Sequence, residues 1–341
     1  MENIYGYTIS MLEKYFESIG EKKFKATQVY DWLYKKRVDS FDEMTNISKS
    51  VIERLKKDFT MDMIDIITKQ KGIDVSKYLF NLSDNNKIEA VLMYHDYGTS
   101  LCVSSQVGCN MSCSFCESGR LKKVRNLESY EIVEQLLLIE KYEGVRISHV
   151  VMMGIGEPFD NYDNVMRFID IINDDKGLAI GARHITVSTC GIVPKIEEFS
   201  KNKKQVNLAI SLHASNDELR RKIMPIAKAY SLDELMNSIK TYLANDGRRV
   251  TFEYIMLRDV NDSIDNALEL AKLLKGMNAY VNLIPYNETS HIEYKKSSKD
   301  TIMKFYDTLK KNNINVTIRK EFGGTVSAAC GQLRSHYEEV E

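Results

Sequence analysis

SLCVSSQVGCNMSCSFC, residues 100–116, is the stretch on which the reading of this chain turns. An apolar segment, SLCVSSQVG (100–108), has the length and composition of a buried strand and runs straight into Cys109, Cys113 and Cys116, spaced C-x3-C-x2-C. The thiols therefore fall on the loop at that strand's C-terminal end. Three thiolates on one short loop can hold three irons of a [4Fe–4S] cluster and leave the fourth open to another ligand, whereas electron-transfer clusters take four cysteines. The spacing thus points to a cluster that binds substrate directly. A structural zinc site would need a fourth ligand, and the nearest candidates, His95 and Cys102, lie upstream. A thioredoxin-like pair at Cys113 and Cys116 would sit at a helix start and leave Cys109 unexplained. The chain has six cysteines, the others being Cys190 and Cys330. An even count allows a disulfide framework, but clustering in an intracellular chain favours metal or catalysis.

Downstream, short apolar runs alternate with helical patterns. SHVVMMG (148–154), HITVSTC (184–190), VNLAISLH (206–213), VTFEYIML (250–257) and YVNLIPY (280–286) are strand candidates. Helical periodicity appears in 129–144, 162–174, 231–245 and 264–277, and a last helix (299–312) precedes strand-like NVTIRKE (315–321). Repeated β–α units predict an α/β fold with a parallel sheet, either a partial (β/α) barrel or a doubly wound sheet, with chemistry at the C-terminal strand ends. Upstream, 8–59 reads as three helices, with Ser40 and Asp42 as cap positions of the third. KYLFNL (77–82) and KIEAVLMYH (87–95) flank the turn SDNN and predict a hairpin. The expected organisation is a small N-terminal module, 1–95, followed by the barrel unit, 96–341.

Of the 341 residues 43% are hydrophobic and 28% charged, which excludes wholesale disorder. Lys+Arg (47) and Asp+Glu (48) balance to a net charge of −1, so the chain is not a strongly basic nucleic-acid binder overall, though a local basic face remains open. Candidate phosphate contacts are Lys22, Lys23, Lys25, Lys35, Lys36 and Arg37, then Lys122, Lys123 and Arg125, then Arg220, Arg221 and Lys222, although charge runs are usually solvated faces. Neither a signal peptide nor a run of 18 apolar residues is found, so the default expectation is a cytoplasmic protein without membrane association.

CVSSQVGC (102–109), MGIGEP (153–158), VSTCGIVP (187–194), SLHASNDELR (211–220), VNDS (260–263), NLIPYN (282–287) and AACGQL (328–333) together resemble the RlmN/Cfr family of radical S-adenosylmethionine (SAM) enzymes, which methylate adenine in RNA. The likeness covers nearly the whole chain. It implies a partial (β/α)6 radical-SAM barrel with a helical front module and a hairpin extension. It implies SAM on the open iron, contacted by Gly156, Glu157, Ser188, Ser211, Leu212, His213 and Asn287. It also implies a relay. Cys330 takes a methyl group from one SAM, a radical derived from a second SAM activates that methyl toward adenine, Glu89 accepts the ring proton, and Cys102 closes a disulfide with Cys330 to release the base.

The implied partners are 23S rRNA, tRNA and a flavodoxin or ferredoxin reductant, with the chain acting as a monomer. GEP followed by FDN, and SLHASND, resemble the branch that methylates carbon 2. The FG of RKEFGG resembles the Cfr branch, which methylates carbon 8 and confers antibiotic resistance, and carbon 8 is the first alternative. A non-catalytic, metal-stabilised RNA-binding protein is the second. The chain departs from the family at Glu117, where Ala or Ser is common, at Glu288 after Asn287, at MPIAKAY (224–230), and at Thr325 and Ser327, where acids are usual.

Overall fold

The computed structural model describes residues 1–202, 204–319 and Leu333. Ten strands form the main sheet: β1 (Asp65–Lys71), β2 (Val75–Asn81), β3 (Lys87–His95), β4 (Gly98–Cys102), β5 (His149–Met152), β6 (Ile185–Thr189), β7 (Asn207–Ser211), β8 (Val250–Met256), β9 (Ala279–Pro285) and β10 (Val316–Ile318). They lie side by side in chain order. β1 to β4 are antiparallel neighbours, and from β4 to β10 every pairing is parallel. A doubly wound sheet reverses its strand order at a switch point. This one never reverses, so the winding is that of a barrel. The guanidinium of Arg319, just past β10, acts on both Cys102 of β4 and Glu253 of β8, which requires the sheet to curl until its far strand faces β4.

Helices α1 (Ile9–Ser18), α2 (Phe24–Asp31) and α3 (Lys49–Asp58) form the front, and α4 (Ser129–Glu143), α5 (Tyr162–Asn173), α6 (Val193–Ser200), α7 (Asp217–Ile223), α8 (Leu232–Asp246), α9 (Ile264–Leu274) and α10 (Lys299–Lys311) follow the barrel strands. Their ends obey local chemistry. Ser231 and Glu234 make a capping box at α8, and Gly247, at φ 67, ends that helix in the left-handed region. No helix among the described residues is long and apolar enough to cross a membrane.

The sequence-based expectation needs three corrections. Ser40 caps only the single turn Phe41–Glu43, and the third helix starts at Lys49. The hairpin is a three-stranded antiparallel extension that includes Asp65–Lys71, unforeseen because its polar DIITKQK is only half-buried. That extension also continues the barrel sheet, since Val91 of β3 registers with Cys102 of β4. The anticipated division at 95/96 therefore lies in the tight connection of one sheet. The front packs into the same apolar core as the barrel, where the buried Tyr30 donates from its hydroxyl to the Ile171 carbonyl of α5 (3.4 Å).

Candidate active site at the barrel mouth

Alternation along the strands sets which side chains look inward. Val91 and Cys102 are register partners, as are Lys77 and Val91, so Lys77, Glu89, Val91 and Cys102 share one face of β2–β4. Their neighbours Tyr78, Ala90 and Leu101 point the other way into the core. Lys77 and Glu89, each 2% exposed, form an ion pair of 3.0 Å on the inner face. Across the barrel Asn282 donates to the buried Glu253 (2.8 Å). The lumen is thus polar and charged.

Burial pushes the Cys102 thiol up, Arg319 and Lys77 draw it back down, and Glu89 opposes them. The Glu89 carboxylate faces the Lys77 ammonium although its neighbours along KIEAVLM are mostly apolar. Nothing in KYLFNL had marked that lysine as more than a solvated strand residue.

Between β4 and the cysteines, the motif residues bind three loops together. The Ser104 hydroxyl donates to the Glu89 carbonyl (2.6 Å) and accepts from the Ile155 N–H (3.0 Å). The Gln106 carboxamide oxygen accepts from the Glu157 N–H (2.9 Å), and its nitrogen donates to Asn126 and Asp160. Gly156 lies at φ 108, with Gln106 so close that an added Cβ would come within 2.6 Å of it. Gly108, at φ 76, is tighter still, since a Cβ there would lie 2.1 Å from the Lys122 carbonyl oxygen. The cluster loop therefore exists only with glycine at its base.

Cys109, Cys113 and Cys116 are close enough to repel one another. Burial and then that repulsion push Cys109 up to about 12 and Cys113 well above the usual thiol range. Burial also raises Cys116, opposed by the amides of Gly119 and Ser118, which lie against its sulfur as the Met111 amide lies against Cys109. Buried sulfurs with backbone donors suit thiolates carrying a cationic metal centre. Among the described residues no three His, Cys, Asp or Glu side chains converge as ligands of one ion. Cluster ligands need no such convergence, because each thiolate takes its own iron. The donor set therefore fits a [4Fe–4S] cluster on Cys109, Cys113 and Cys116.

The residues that the resemblance assigns to SAM lie at or just past the ends of β5, β6, β7 and β9. Glu157, 4% exposed, accepts from the Phe159 N–H (3.0 Å) and the Cys190 N–H (2.7 Å). Burial raises its carboxyl above the ordinary value despite those donors, a desolvation that a cation beside it would offset. The Ser188 and Ser211 hydroxyls meet at 3.4 Å from the ends of β6 and β7. Leu212 turns its side chain into the core, and its N–H donates to the Glu253 carbonyl (3.1 Å).

His213, at φ 58, accepts the Ile255 N–H on Nδ1 (3.1 Å), while Asn261 holds its carbonyl (2.8 Å). Phe115 stands edge-on to the His213 ring at 4.9 Å, so the aromatic residue inside the cysteine motif anchors the cluster loop on the SLH segment. Asn287 is exposed, two residues beyond β9. Cys330 lies outside the described residues.

Several expected phosphate contacts are otherwise engaged. Arg125 is bidentate to Glu131 and also bonds Asp84, Lys123 pairs with Asp160, Lys25 with Glu21, Lys36 with Asp31 and Arg37 with Glu140. Arg220 is wholly buried and is no surface contact. Cys190 is a backbone hub, its N–H donating to Glu157 and its carbonyl accepting from Arg220.

Residues 2–61 match the ribosomal RNA large subunit methyltransferase N-terminal domain, and residues 103–271 match the radical SAM superfamily. The "probable dual-specificity RNA methyltransferase RlmN" of Spiroplasma citri is 52% identical, covering 100% of this chain and 99% of that protein. The protein of the same description from Enterococcus faecalis is 56% identical, covering 98% and 96%. A solved radical SAM methyltransferase from Sphaerobacter thermophilus superposes with a TM-score of 0.91 at 38% identity, covering 97% of this chain and 99% of that one. Streptococcus suis SuiB, solved with SAM bound, shares the fold alone (TM-score 0.50, 16% identity, 65% of this chain and 50% of that one). A radical SAM core uses a [4Fe–4S] cluster and SAM, so the purely RNA-binding alternative falls away, and with identity above half along its whole length the chain belongs to the RlmN family of radical SAM RNA methyltransferases.

Proposed function

We propose that this enzyme methylates carbon 2 of adenine in 23S rRNA and in tRNA, with Cys330 as methyl carrier and Cys102 and Glu89 completing the transfer. Carbon 2 lies between two ring nitrogens and is electron-poor, and the methyl of SAM is itself an electrophile. A polar transfer would have to join the two, so a covalent relay through a thiol is required. Bound at the cluster, SAM supplies the methyl group and the one-electron chemistry that activates it.

The protein's part is to carry, orient and deprotonate. The observation that carries the reading is the shared inner face of Cys102 and Glu89, two residues apart in register, with Glu89 buried and Cys102 half-buried beside it. A buried carboxylate beside the product-releasing thiol is where a ring proton has to go. Lys77 compensates the charge of Glu89, and Ser104 pins its backbone to the loop that carries Glu157. The target adenine must leave its stack to reach this lumen. A flavodoxin or ferredoxin is the reductant on this reading, and the enzyme works as a monomer.

The test is mass spectrometry of nucleosides after reaction of the oxygen-free, cluster-loaded enzyme with SAM and an rRNA fragment. We expect 2-methyladenosine, none from Cys330→Ala, and RNA retained on the protein in Cys102→Ala. Production of 8-methyladenosine would move the reading to the carbon-8 reaction, and a fully active Cys330→Ala would end the relay.

A further inference from the structure

Arg220 is 0% exposed and the bulkiest fully buried side chain of the described residues. Its Nη2 donates to the Cys190 carbonyl at 2.5 Å, while Nε and Nη1 have no hydrogen-bond partner among the described residues. Of the two acids on its own helix, Asp217 is already engaged, accepting the Leu232 N–H and pairing with Arg221, and Glu218 is exposed to solvent while Arg220 is buried. An arginine cannot shed its charge by deprotonation, and a buried cation without a counter-charge costs several kcal/mol. The fold keeps this one beside Cys190 and Cys113, where a negative group has to compensate it. Three thiolates on a [4Fe–4S] core are such a group, and reduction adds one more negative charge.

We infer that Arg220 is a positioning residue for the cofactor, a fixed water-free cation beside the Cys113 corner that stabilises the reduced cluster and raises the potential at which it accepts its electron. Because the guanidinium has no exposed surface, it acts through the field rather than by touching SAM or RNA. The inference rests on Cys109, Cys113 and Cys116 holding the cluster. If Cys113→Ala takes up a full complement of iron, that ligand assignment fails, independently of the Arg220 result.

The test is a redox titration of full-length, anaerobically loaded protein without SAM, following the paramagnetic signal of the reduced cluster in wild type, Arg220→Met and Arg220→Lys. Arg220→Met should titrate at a potential lower by about 59 mV or more, a tenfold change in a one-electron equilibrium. Arg220→Lys keeps the charge and should lie nearer the wild type. Coincident titrations of wild type and Arg220→Met would overturn the inference, as would equal shifts in both variants, which would make shape the cause. An unchanged potential with weakened SAM binding would also overturn it and assign the guanidinium to the carboxylate of SAM. If Arg220→Met takes up no iron, Arg220→Lys decides. Full iron and a near-native potential uphold the inference, and a folded variant without iron overturns it.

Discussion

His213 should make this enzyme sensitive to acid in a way that one substitution removes. The side chain is 6% exposed, and burial followed by the charge of Arg220 pushes its imidazole down to about 3. In the unfolded chain a histidine titrates near 6.5. The folded value is the lower one, so this contribution to stability is complete above pH 6.5 and is lost as pH falls toward 3, because the unfolded chain then takes up a proton that the folded state refuses. The loss is about 1.36 kcal/mol per pH unit, hence about 2 kcal/mol between pH 6.5 and pH 5.

His213→Asn is the right perturbation. Asparagine tolerates the positive φ of 58 and keeps an acceptor for the Ile255 N–H, but it does not titrate. The assay is the melting temperature of the two proteins, oxygen-free and cluster-loaded, from pH 7.5 to 5.0. Carboxylates titrate in both and cancel in the difference. The variant should melt lower at pH 7.5, and the gap should close by about 4 °C at pH 5.0, taking about 2 °C per kcal/mol for a chain of this size. A gap that stays constant across the range would refute the argument that the buried imidazole remains neutral.

Gly108→Ala forces a Cβ to within 2.1 Å of the Lys122 carbonyl at φ 76, so the cysteine loop must move. We expect the variant to retain its far-UV dichroism while losing most of its iron per chain after reconstitution. Lys77→Met leaves the Glu89 carboxylate buried without its ammonium and should cost about 3–5 kcal/mol in chemical denaturation. Adding Glu89→Gln to it should recover most of that loss, and a double variant no more stable than Lys77→Met would show that the pair contributes packing rather than charge.

What could be read along the chain is what short-range physics writes there. Strand length, helix periodicity and the cysteine spacing are set by neighbours within a few residues. They placed six parallel strands and the thiol loop correctly, and SLHASNDELR and MGIGEP marked the strand ends that the fold gathers at the barrel mouth. The short helices Val193–Ser200 and Asp217–Ile223 are too brief for periodicity to separate them from loops. DIITKQK escaped for a related reason, because a half-buried strand at the edge of a sheet has little apolar alternation to display.

The sequence by itself determined the chemistry on offer, a trio of thiols after a strand and the strand ends assembled around it, because ligand spacing and pattern are local. Only the tertiary structure decided which charges face that chemistry. Lys77 meets Glu89 through the parity of a hairpin register, and Arg220 turns inward while Arg221, one residue on, pairs with Asp217 at the surface. A DELRRK run looks solvated throughout. A rotation of about 100° per residue buries one arginine and exposes the next, and the side that is buried depends on how helix Asp217–Ile223 lies against Cys190, a contact made across thirty residues of chain.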